Sequence, residues 1–151
     1  MHDSSTFERA YEAFRSQAQI TAPKLPGSEL SAREERLRDL LRASGLAPRI
    51  EDGDLVTRYR GWTIVVSAPD EDPQWTALYC SVEDCGKPEC RAKLDAAVNH
   101  INARIKCAQA ARMDDKTIVI TVGLLTDVEP SVQLLQRAYD ILGGALQVLR
   151  D

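Results

Sequence analysis

Histidine is scarce in this chain: His2 and His100 are the two in 151 residues. Histidine is the side chain that most often moves protons or binds metals near neutral pH, so such work would fall to carboxylates or thiols. No glycine-rich loop of the phosphate-cradling kind is present. No apolar run approaches the roughly 20 residues of a membrane-spanning helix, so a membrane is not an expected partner. Basic stripes are missing too. Nineteen Lys and Arg stand against 23 Asp and Glu, a net charge of −4. A phosphate backbone is repelled by that average, and nucleic acid is not an expected partner. The segment Met1–Gln19 is too polar for a secretory signal, which makes the cytoplasm the expected compartment.

What is present is ordinary for a globular protein, with 44% hydrophobic and 28% charged residues. The length suits one domain and can bury roughly two-thirds of the unfolded surface, so neither metal nor disulfide is needed for folding. Ser5–Gln19 reads as an amphipathic helix with a capping box from Ser5 to Glu8. Its stripe is Phe7, Ala10, Tyr11, Phe14 and Ala18. Thr21–Gly27, with two prolines and a glycine, is a linker, so residues 1–27 are set apart from a domain at 28–151.

That domain begins with a second helix near Ser31, again with a capping box, through Glu34. Leu37, Leu40 and Leu41 form its core face, and Gly45 ends it with Leu46 folded back. Four strands follow: Arg49–Glu51, Asp54–Arg60, Trp62–Ala68 and Gln74–Val82. Asp52-Gly53 is a strong hairpin signal. A third helix over Pro88–Lys106 buries Leu94, Ala97, Val98, Ile101 and Ile105. Two strands, Cys107–Met113 and Thr117–Leu125, precede a last helix that starts beyond Pro130. Short connections favour antiparallel pairing. The expected fold is α+β, a single antiparallel sheet with helices packed on it in the order α-α-ββββ-α-ββ-α.

Candidate chemistry is thin. Cys80, Cys85 and Cys90 are evenly spaced, with Cys107 further on. Structural zinc sites usually pair ligands two to four residues apart, and here each neighbour is separated by four with no second close pair, so zinc is disfavoured. A Cys85–Cys90 disulfide stays open, and a reducing compartment favours plain thiols. His100 falls at the side of its helix's apolar stripe, as a surface or boundary residue. Asp70-Glu71-Asp72 and the other acidic clusters sit in turns, where aspartate serves backbone hydrogen bonds. No catalytic residue, metal site or cofactor is expected.

The last helix is the more informative element. Its apolar face exceeds the roughly 100° arc that packing on one sheet requires, and it holds Gly143-Gly144. Paired glycines suit a close backbone approach. Leu142, Gly143, Gly144, Leu146 and Leu149 are therefore candidates for a dimer interface, against the alternative that the chain's own sheet wraps the helix. Trp62 and Trp75 are candidates for protein contact, tryptophan being common both at interfaces and in cores.

The stretch Ala43-Ser-Gly-Leu46 followed by Glu51-Asp-Gly-Asp-Leu-Val-Thr-Arg-Tyr-Arg-Gly61 resembles the YbjN-like family, bacterial proteins associated with sensory-transduction regulation. Leu94 to Lys106, with Asn99, Ile101, Asn102 and Lys106, is similar to the family's later helix. The resemblance covers about Leu30 to Asp151 and implies a fold like that of type III secretion chaperones. It implies a regulatory or chaperone-like protein that is not an enzyme. The expected function is a protein-binding module, homodimeric, that recognises a segment of a client protein. The rival is a dedicated secretion chaperone for one effector; a metal- or redox-dependent protein using the cysteines is a more distant one.

Overall fold

Ser31 caps the first described helix as its spacing predicts. Its hydroxyl accepts from the Glu34 amide at 3.0 Å, and Glu34 Oε1 accepts from the Ser31 amide at 3.0 Å. The computed structural model describes residues 30–114, 116–126 and 130–150; the expected helix over Ser5–Gln19 and its linker lie outside them. The helix, α1, runs Ala32–Ala43 and ends at Gly45, whose φ of +85° needs no Cβ. The Leu46 amide reaches back to the Leu41 carbonyl at 3.0 Å, the expected folded-back terminus.

Six strands follow in the expected segments: β1 Arg49–Glu51, β2 Asp54–Tyr59, β3 Trp62–Ser67, β4 Trp75–Glu83, β5 Ala108–Arg112 and β6 Thr117–Leu125. Between them come helix α2, Pro88–Arg104, and finally α3, Val132–Arg150. All neighbouring strands pair antiparallel, in the spatial order β1-β2-β3-β4-β6-β5. The fold is thus the expected α+β arrangement. Asp52-Gly53 turns the first hairpin with φ +52° and +81°, and Arg60-Gly61 turns the second with +52° and +84°. Both pairs fit the two-residue turn whose residues have positive φ and whose twist matches the strands.

Alternation gives the sheet two faces. Leu55, Ile64, Val66, Leu78, Ile120 and Val122 share the face that the helices cover and are almost inaccessible. Helix α3 touches α1, α2 and strands β4, β5 and β6, which accounts for its wide apolar arc. Leu135, Leu142, Leu146 and Ala145 are each at most 1% exposed. Tyr139, also on α3, shares a 2.6 Å hydrogen bond with the Thr57 hydroxyl, so these two buried hydroxyls satisfy each other.

The start of α1 is fixed by charges that the periodicity does not reveal. Arg33 is 5% exposed and donates to the carbonyls of Pro69, Asp72 and Trp75 and to Thr76 Oγ1, at 2.6–3.2 Å. Glu34 Oε2 accepts from the Ala68 amide at 3.1 Å. Asp70 is the exposed turn residue expected, and its backbone partners are the Ala32 and Arg33 amides, at 3.0 and 3.2 Å. Those two bonds to the helix's first turn hold its carboxyl below the ordinary carboxylate range.

Candidate protein-binding surface

A sheet of six strands has two edges, and this chain treats them differently. At β5 the outward backbone groups of Ala110 meet the Asn102 side chain from α2. The Asn102 amide donates to the Ala110 carbonyl at 2.9 Å, and its oxygen accepts from the Ala110 N–H at 2.8 Å. One side chain thereby does what a neighbouring strand would do at that residue. At the next outward position Arg112 binds Asp84 Oδ2 at 3.1 Å and Asp95 Oδ1 at 2.7 Å. The Asp84 side chain is 1% exposed. The Gly86 N–H, with Arg112 second, holds its carboxyl below the usual range. This edge is closed.

Among the described residues the β1 edge has no such stopper. The two-residue turn makes Glu51 and Asp54 partners, so the next pair, Ile50 and Leu55, is of the type whose Ile50 N–H and C=O point away from β2. No described residue bonds those groups from the outer side. The Ile50 side chain shares the helix-covered face with Leu55, yet it is 51% exposed because no described helix extends that far. Arg49 and Glu51 flank it and pair with each other at 3.0 Å. Exposed aliphatic surface beside unpaired backbone is what an added strand requires.

The residues proposed from the sequence are not brought together. Leu142, Leu146 and Leu149 are 0%, 1% and 8% exposed against the chain's own sheet. Their wide arc is occupied by the sheet and two helices, the alternative that stood beside the dimer reading. Gly143 is the close approach that paired glycines signalled, though within the chain. A Cβ there would lie 2.9 Å from Arg60 Nη1 and 3.0 Å from Tyr59 Cε1, in the β2–β3 hairpin. Gly144 is exposed, with nothing near a Cβ. Trp62 is half-buried on the helix side, with the Arg150 guanidinium 4.8 Å from its ring centre. Trp75 is half-buried on the opposite face, its ring laid over Gly123.

The cysteines do not converge either. Cys85 and Cys90 form a disulfide across the turn into α2, their Cα atoms 6.0 Å apart, which corrects the preference for plain thiols at this pair. Cys80 is buried beneath the helices, and burial pushes its thiol up to about 11; Cys107 is exposed. His100 is exposed on α2. Among the described residues no group of three or more His, Cys, Asp and Glu is arranged to hold a metal ion. None of their helices is long and apolar enough to cross a membrane.

No family model matches the sequence. No curated protein matches it either. Solved structures do. The chain is similar to YbjN from E. coli, a candidate transcription regulator, at 15% identity and a TM-score of 0.58, covering 77% of this chain and 88% of that one. An uncharacterised protein from Methanothermobacter thermautotrophicus aligns at 17% identity and a TM-score of 0.55, over 78% and 94% of the two chains. The Yersinia pestis type III secretion chaperone SycH, crystallised with a stable fragment of YscM2, aligns at 12% and 0.50, over 78% and 99%. These likenesses define the class: the chain has the α+β fold of type III secretion chaperones. Its resemblance to YbjN holds at the level of that fold.

Proposed function

We propose that this chain is a non-catalytic binding module that takes an extended segment of a partner protein onto its β1 edge. The observation that carries the reading is the asymmetry of the sheet: the β5 edge is stoppered by Asn102 and Arg112, whereas Ile50 stands bare. A partner strand would bond the Ile50 N–H and C=O and cover its side chain. Main-chain pairing would supply affinity, and the side-chain positions on the incoming strand would supply selectivity. A second copy of this chain pairing through β1 would use the same groups.

The narrower reading, a chaperone dedicated to one secreted effector, is favoured by the likeness to SycH, whose crystal holds a fragment of another protein. Secretion-apparatus genes beside the coding gene would support it, and signalling genes would support a regulator. The cytoplasm is the compartment in which either role fits.

The test is affinity capture from the native host with the natural chain and with Ile50→Pro, which removes the outward N–H. A partner retained by the natural chain and lost from the folded variant supports the reading. Equal recovery by both contradicts it.

A further inference from the structure

The β1 edge carries its charges in a fixed order. Arg49 and Glu51 flank Ile50, and their partners on β2 are Val56 and Asp54. Alternation sends both charged side chains to the sheet face opposite the helices, while Ile50 goes to the helix side. About half of each is open to solvent, and Asp52, in the turn just past Glu51, is exposed as well. Arg58 stands on the same face as Arg49, two residues beyond Val56 on β2, where β1 has already ended. It too is exposed, and its Nη1 donates to Thr63 Oγ1 at 3.1 Å. One end of this edge is therefore acidic and the other basic, with an aliphatic side chain between them.

We infer that the partner segment runs antiparallel to β1 and reads, from its N-terminal end, basic, aliphatic, acidic, any residue, acidic. The inference rests on the proposed function and narrows its partner. Antiparallel docking sets one partner residue opposite Ile50, where it exchanges both main-chain bonds and lays its side chain beside that of Ile50. The residues before and after it fall opposite Glu51 and Arg49, on the face those charges share. Opposite charges directly across a strand pair attract, and like charges repel. The 3.0 Å contact between Arg49 and Glu51 is no obstacle, because an exposed ion pair holds its members weakly. The last acid lies two strand spacings from Arg58, roughly 10 Å, which an arginine and a glutamate side chain span together. A second copy of this chain offers the same first three residues, since Arg49-Ile50-Glu51 is its own complement about Ile50. It would make just two main-chain bonds there, and the residue it brings toward Arg58 is Gly53. That contact falls far short of the roughly 1,000 Å² of a stable interface, so the occupant is a segment of a different protein.

Two end-capped peptides of identical composition test it, Lys-Val-Glu-Ser-Glu and its reverse, Glu-Ser-Glu-Val-Lys. Each is titrated at low salt into the full-length chain, with the Ile50 amide followed by nuclear magnetic resonance. The forward peptide should bind at least about fivefold more tightly, because the reverse one sets like charges against Arg49 and Glu51. Exchanging the two charges, Arg49→Glu with Glu51→Arg, keeps their mutual contact and should invert the preference. Equal binding of both peptides at Ile50, or a preference that the exchange leaves unchanged, would overturn the charge order while leaving the edge as the binding site. No shift at Ile50 with either peptide would overturn the proposed function together with this inference. An Ile50 shift that grows with protein concentration alone, and that neither peptide displaces, would assign the edge to a second copy and overturn the inference.

Discussion

The two edges of the sheet differ in what guards them. β5 is five residues long and flanked by α2, whose Asn102 answers both outward groups of Ala110. β1 is three residues long, and among the described residues only its own flanking charges stand around Ile50. Proteins blunt an edge strand to prevent unwanted pairing, and the means used at β5 is a side chain recruited from a helix. An edge left unguarded beside a guarded one is the place where pairing is tolerated. The proposed function gives the β5 side of the molecule to stability and the β1 side to recognition.

Substitutions should separate those roles. The largest effect is expected from Leu146→Glu, which places a charge in the core shared by both halves. A cost above about 4 kcal/mol, measured as loss of cooperative unfolding, is expected for a buried unpaired carboxylate. A folded chain with altered mass would instead revive an interface on α3. Next comes Asn102→Ala, which strands the outward N–H and C=O of Ala110. A loss of about 1–3 kcal/mol in denaturant unfolding is expected, with self-association at the newly opened β5 edge. Gly144→Ala should stabilise by about 0.5–1 kcal/mol, because nothing lies near the added methyl group and alanine favours the helix. Ile50→Thr should change stability by less than about 0.5 kcal/mol, as an exposed position does. Its effect should appear in partner binding alone.

Alkaline pH acts on the core beneath both edges. Burial pushes Tyr139 up to about 12 from 10.0, and Cys80 up to about 11 from 9.0. Their stabilising contribution is complete below about pH 9, where both are protonated folded or unfolded. As pH rises through the window from 9 to 12 the unfolded chain ionises first and stability falls. Tyr139→Phe should flatten the upper part of that decline in urea titrations.

Local structure was the legible part of the sequence. The Ser31–Glu34 capping box, the Gly45 terminator and the Asp52-Gly53 turn each depend on residues a few positions apart, and all three form as read. Long-range arrangement was not legible in the same way. Periodicity placed β5 and β6 but could not say that β6 inserts between β4 and β5, which makes β5 an edge. Asn102 stood in a motif quoted for family likeness, yet its task depends on a strand eight residues later in sequence. The width of the α3 face was visible, but a sheet flanked by two helices and a dimer partner would write the same pattern. Arg33 gave no signal at all: a buried guanidinium inside a charged helix start looks like any surface arginine until its four acceptors are in place.

Residue-resolved amide exchange at Ile50 and Ala110, in the free chain and with a captured partner, tests the account most directly. The account predicts a fast Ile50 amide and a protected Ala110 amide in the free chain, with Ile50 becoming protected when the partner binds. Protection of Ile50 that stays unchanged on binding, while Ala110 changes, would place recognition at the other edge and contradict it.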